Sequence, residues 1–106
     1  MNSFGMDKFT VEIDDVLRPI VPDFLGSRSN DCILIQQLLG EGDYDQIRLL
    51  AHRMKGTGGS YGFDAISEIG EIIETASLAA DRETIRTQIQ RLEDYLERVS
   101  VVYVQL

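Results

Sequence analysis

The sequence predicts an all-α domain, an antiparallel four-helix bundle whose first helix is kinked or in two pieces. Two observations carry this. Four segments place apolar residues at spacings of three and four, and short Gly- or Asp-bearing junctions separate them. The only alternating stretch is the brief one from Phe9 to Ile13. One domain over 1–106 is expected, with a short N-terminal arm at about 1–14 and enough length for one modest core.

The first helix is expected from about Asp15 to Leu39, with Val21, Phe24, Leu25, Cys32, Ile35, Leu38 and Leu39 on its inner side. Pro19 and Pro22 each lack a backbone donor, so they bend or restart it. Gly26, Ser27, Ser29 and Asn30 weaken its middle, and Gly40 to Gly42 end it. Asp43 is a candidate N-cap for the second helix, with Gln46 placed to reach back in a capping box. That helix carries Ile47, Leu50, Ala51, Met54, Gly58 and Tyr61 on one face and is expected to end near Gly62. Asp64 is a candidate cap for the third, whose buried stripe is Ile66, Ile69, Ile73, Ala76 and Ala80 with Ile72 beside it. Asp81 caps the fourth, in which Ile85, Ile89, Leu92, Leu96, Val99, Tyr103 and Leu106 alternate steps of four and three, predicting a helix that runs to the last residue.

Composition narrows the function classes. Apolar content of 43% and charged content of 26% are those of an ordinary globular protein. No apolar run approaches the roughly 20 residues of a membrane-spanning helix. The start MNSFGMDKF lacks the basic and apolar regions of a secretory signal, and the single Cys32 has no partner for an internal disulfide, so a cytoplasmic location is expected. Cys32 reads as a small buried hydrophobe. A net charge of -8 with no run of Lys and Arg argues against nucleic acid and for a protein partner.

The second helix breaks its own rules. GTGGSYG places Gly56, Gly58, Gly59 and Gly62 in or at the end of it, and each interior glycine costs roughly 1 kcal/mol relative to alanine. One reading ends the helix at Gly56 and makes the glycines a loop. The other comes from geometry. At about 100° per residue from Ile47, the core residues cluster within about 40° of zero and His52 lies near 140°. On the same wheel Lys55, Arg48, Gly59 and Gly56 fall at about 80°, 100°, 120° and 180°. The exposed face therefore presents the chain's only imidazole, two cations one turn away, and two positions without side chains.

That face suits a phosphoryl carrier. A neutral imidazole is a good nucleophile near neutral pH, and a solvent-facing ring can be approached in line. Lys55 supplies charge and donors for phosphoryl oxygens, with Arg48 a weaker candidate, while Gly56 and Gly59 leave room for a partner's cleft. Leu49, near about 200°, is either a solvated apolar residue or a docking contact. A metal site is disfavoured because no second His exists and Asp43, Asp45 and Asp64 are not helical neighbours of His52. A hydrolytic triad fails because Ser60, at about 220°, turns away from the ring.

His52, Met54, Lys55, Gly56 and Gly62 spell H-x-M-K-G-x-x-x-x-x-G, which closely resembles the phosphorylation-site motif of histidine-containing phosphotransfer (HPt) domains. The four-helix plan resembles that family over most of the chain. The resemblance implies that His52 accepts a phosphoryl group from the aspartyl phosphate of a response-regulator receiver domain, including that of a hybrid histidine kinase, and donates it to another receiver. Lys55 would steady the phosphoryl oxygens, Gly56 would admit the receiver, and Gly62 would serve packing or the turn that follows. The receiver would bring the Mg²⁺, leaving the carrier without a cofactor of its own. Family members are often monomeric. Thr57, Gly58 and Gly59 depart from the family's usual small Ser and Ala residues. No ATP-binding region is found in the chain, so no kinase activity of its own is expected. Two rivals are a phosphorylation-silent HPt-like module that docks on and blocks a receiver, and a small phosphohistidine enzyme acting on a metabolite. The second needs a concave pocket around His52, where the wheel shows a bare convex face.

Overall fold

The computed structural model describes residues 7–106. In order they form β1 (Phe9–Asp14), a 3-10 turn (Asp15–Leu17), α1 (Val21–Glu41), α2 (Tyr44–Ser60), α3 (Asp64–Leu78), α4 (Arg82–Arg98) and β2 (Val99–Val104). The helices close a ring in which α1 packs on α2, α2 on α3, α3 on α4 and α4 on α1. Ile35, Ile47, Ile66, Ile69, Ile73, Ile85 and Leu92 meet in the centre without exposure. β1 and β2 form a two-stranded parallel sheet in register from Phe9 opposite Val99 to Asp14 opposite Val104.

The first helical segment divides at its prolines. Asp14 accepts from the Val16 amide to cap the 3-10 turn, Pro19 lies in the connection, and Pro22 sits in the first turn of α1 where no donor is missed. α1 then continues unbroken through Gly26 and Ser27, and it stops at Gly42, whose φ of 70° is left-handed. Asp43 caps α2 by accepting from the Gln46 amide. Its own N–H goes to the Leu38 carbonyl at 2.9 Å, so the capping box is replaced by a bond across the junction. Asp81 caps α4 by accepting from the Thr84 amide and hydroxyl.

Four sequence expectations are corrected. Phe63 rather than Asp64 holds the N-cap position of α3, with no side-chain capping bond, because the Phe63 ring is drawn wholly into the core and the helix starts after it; Asp64 is its first residue, where a carboxylate suits the positive end of the helix dipole. Ala80 lies beyond α3 on the exposed side of a turn, at φ 51°. α4 stops at Arg98, and Val99 and Tyr103 belong to β2, with Leu106 exposed beyond it. Four of the six residues of β2 are valines, whose stiff branched side chains fit a pleated surface, and the strand finds its partner about ninety residues away in β1. The N-terminal arm is, over Phe9–Asp14, that partner strand; its residues 1–6 lie outside the described residues.

The sheet is tied down at both strands. Ile13 is wholly buried, Phe9 stacks on Tyr95, and the Arg98 guanidinium donates to the Asp7 carbonyl while lying over the Phe9 ring. Arg18 lies over the ring of Tyr103.

Candidate functional site

α2 remains helical through its glycines to Ser60, which removes the loop reading. Neighbouring side chains and the turn that follows support it. The Thr57 hydroxyl donates to the Arg53 carbonyl at 3.0 Å and accepts from Arg28 of α1, and Ser67 of α3 donates to the Lys55 carbonyl at 2.8 Å. The last carbonyls of α2 are taken by Tyr61, Gly62 and Phe63 amides, with Gly62 in the left-handed region at φ 89°, as a tight turn requires.

Along the α2–α3 seam the partners run in opposite order. Gly58 meets Ile66 and Ser67, Gly70 meets Ala51 and Lys55, and His52 meets Glu74. A Cβ on Gly70 would lie 2.7 Å from the Lys55 nitrogen and 2.8 Å from the Ala51 carbonyl oxygen, and one on Gly58 would lie 2.8 Å from the Ser67 nitrogen. These glycines let two backbones touch. Gly56 is different, since a Cβ there would meet nothing within 4 Å. Gly59 is exposed and would reach only ordinary contact with Ser67.

The close seam delivers a carboxylate to the histidine. Glu74 Oε2 lies 2.8 Å from His52 Nδ1, and its Oε1 lies 3.5 Å from Lys55 Nζ. The hydrogen bond with His52, foremost, and the charge of Lys55 hold the Glu74 carboxyl below its ordinary value, against the opposing effect of burial. An ionised carboxylate only accepts, so Nδ1 carries the proton in this contact, and in the neutral ring the lone pair is on Nε2. The ring stands clear, with 65% of the side chain exposed.

Of the residues singled out from sequence, His52 and Lys55 are thus joined through Glu74, while Gly56 and Gly59 leave open surface on the same helix. Arg48 is half-buried and Leu49 is 41% exposed, both about one turn before His52. Glu74 was not anticipated. Its signal was a stripe on α3 of Ser67, Gly70 and Glu74 at steps of three and four, which becomes meaningful only once α3 is known to lie against α2. Among the described residues no three His, Cys, Asp or Glu side chains gather as a metal site would require, and no helix is long and apolar enough to cross a membrane.

No curated protein and no solved structure matches the chain. A family model, described as the Hpt domain, matches residues 20–101, from the residue before α1 to the third residue of β2. Spanning all four helices and the His52 motif together, that match places the chain in the Hpt domain family, the histidine phosphotransfer domains that interact with receivers in phosphorelays.

Proposed function

We propose that His52 accepts a phosphoryl group from the aspartyl phosphate of a receiver domain and donates it to the aspartate of another. The observation that carries this reading is the 2.8 Å contact between Nδ1 and Glu74, which leaves Nε2 as the exposed nucleophile. Attack by the Nε2 lone pair on phosphorus forms the N–P bond as the P–O bond to the aspartate breaks, and the aspartate leaves as a carboxylate. The ring gains positive charge, and Glu74, already holding the Nδ1–H, stabilises it without any proton leaving Nδ1. Return transfer reverses these steps.

Lys55 supplies a cation one turn from the ring for the phosphoryl oxygens, and Arg48 adds charge on the preceding turn. Gly56 and Gly59 give the receiver's rim room to close around the transferring group, with Leu49 an apolar contact at its edge. The receiver contributes the Mg²⁺. His52 lines none of the clefts found at Gln36 and Arg82, at Cys32 and Leu96, at Phe24 and Tyr61, or at Ile72 and Thr84, which favours transfer between proteins over action on an enclosed metabolite.

Mixing the chain with a ³²P-labelled receiver tests the proposal. Acid-labile, base-stable label is expected on the wild type and none on His52→Gln. Transfer retained by His52→Gln overturns it, and so does a wild type that binds the receiver without acquiring label, the behaviour of a silent docking module.

A further inference from the structure

Among the described residues α2 and α3 each leave one large apolar side chain exposed, Leu49 at 41% and Leu78 at 74%. Leu49 stands three residues before His52, and Leu78 stands four residues after Glu74. The two helices run in opposite directions along their seam, so both leucines lie toward the same end of it. On α3, Glu74 and Leu78 fall within about 20° of Ser67 at 100° per residue, which makes the three one stripe. Its first two members reach α2, Ser67 at the Lys55 carbonyl and Glu74 at His52 and Lys55. One turn further on, the stripe sets Leu78 beside the turn of α2 that carries Arg48. Arg48 is half-buried and makes no ion pair among the described residues.

We infer that Leu49 and Leu78, on either side of Arg48, form the apolar anchor of the surface on which a receiver domain docks, an inference that rests on the receiver reading of His52. A single exposed leucine is ordinary. Here the only exposed large apolar side chains of the two helices that carry the site both fall within about a turn of it. Continuity with the site decides the occupant. Members of this family interact with receivers, and transfer brings the reacting atoms to about 3–3.5 Å. Even a small transient interface, about 500 Å² on each partner, is a disc of about 13 Å radius. Leu49 lies about 4.5 Å from His52 along the axis of α2, and Leu78 about 6 Å past Glu74 along that of α3, so a disc centred on His52 holds both. Burial of apolar area favours association, and Gly56 and Gly59 on the other side of His52 have no side chain to bury. The glycine half therefore gives access and the leucine half gives affinity, with Arg48 between the leucines to meet the receiver's negative charge.

The probes are purified receiver domains of the organism that makes this chain, and the one that binds the wild type most tightly is titrated against variants. Leu49→Gln and Leu78→Gln are each expected to raise Kd at least about fivefold with an unchanged helical spectrum, and Leu78→Met to restore wild-type binding. Ile33→Gln, at an exposed apolar position beside the cleft between α1 and α4, is expected to bind as the wild type does. Methyl NMR of the wild type reads the contact without any substitution, and the Leu49 and Leu78 signals are expected to shift when the receiver is added. A smaller effect of either glutamine, an equal effect of Ile33→Gln, methyl signals that stay in place, or no receiver that binds the wild type overturns the anchor. Fivefold effects on Kd with no label reaching His52 uphold the anchor and overturn the transfer instead.

Discussion

At His52 a single carboxylate sets which nitrogen is free. Glu74→Gln keeps the size of the side chain but lets its amide donate as well as accept, so the Nδ1–H tautomer is no longer enforced. Imidazole ¹⁵N shifts are expected to move toward the Nε2–H form, and phosphotransfer is expected to slow at least about tenfold, equivalent to roughly 1.4 kcal/mol in the barrier. Unchanged ¹⁵N shifts would reduce Glu74 to a packing residue. The pH dependence has a definite sign. Because the Glu74 carboxyl is held below its ordinary value of 4.5, its contribution is complete above that value and is lost as the pH falls through the lower, folded-state value. Wild type should therefore lose stability relative to Glu74→Gln below about pH 4.5, as read by urea midpoints across an acid series. Cys32 shows the opposite effect: burial, foremost, pushes its thiol up to about 12, so alkylation at pH 8 is expected to require unfolding. His52, Lys55 and Gly56 were legible because a helix wheel needs only local periodicity. Glu74 was not, since its sequence distance from His52 says nothing about which helix faces which.

On the α2–α3 element the glycines separate into two kinds by what a methyl group would meet. Gly70→Ala is expected to force the helices apart and cost about 2–3 kcal/mol, because both nearest obstacles are backbone atoms that cannot rotate away. Gly56→Ala meets open space and is expected to stabilise α2 by up to about 1 kcal/mol, the propensity difference. Thermal unfolding of the two variants checks both, and a Gly70→Ala protein as stable as the wild type would remove the close-seam account. The wheel had already set Gly58 on the core face and Gly56 and Gly59 on the exposed one, as found; Gly70 was not singled out, because the backbone it meets belongs to α2 and a packing partner leaves no local trace. The fourth helix failed in a complementary way. Its steps of four and three do continue through Val99, Tyr103 and Leu106, and a run rich in valine satisfies that spacing by chance while preferring a strand.

Across the whole molecule, helix number and order were legible because adjacent helices are joined by junctions as short as Gly42–Asp43, whereas the sheet joins the two ends of the described chain and leaves no local trace beyond the alternation at Phe9 to Ile13. Its contribution can be separated from that of the site. His52, Lys55 and Glu74 stand on α2 and α3, and the hydrogen bonds that join them are made between those two helices. The sheet instead sends Ile13 into the core, stacks Phe9 on the ring of Tyr95 and engages Arg18 and Arg98. Ending the chain after Arg98 removes β2, leaves β1 without a partner and uncovers Ile13, whose loss of burial with that of its half-buried neighbours is expected to cost about 3–5 kcal/mol. That is a large share of the roughly 5–15 kcal/mol that holds a domain together, so the urea midpoint should fall sharply. At low temperature, where enough of the shortened chain is folded, the rate of transfer to His52 per folded molecule should match the full chain. A midpoint that does not move would mean the sheet adds nothing to the bundle, and a rate that falls with the chain still folded would mean that the sheet, and not the α2–α3 seam alone, holds the histidine in place.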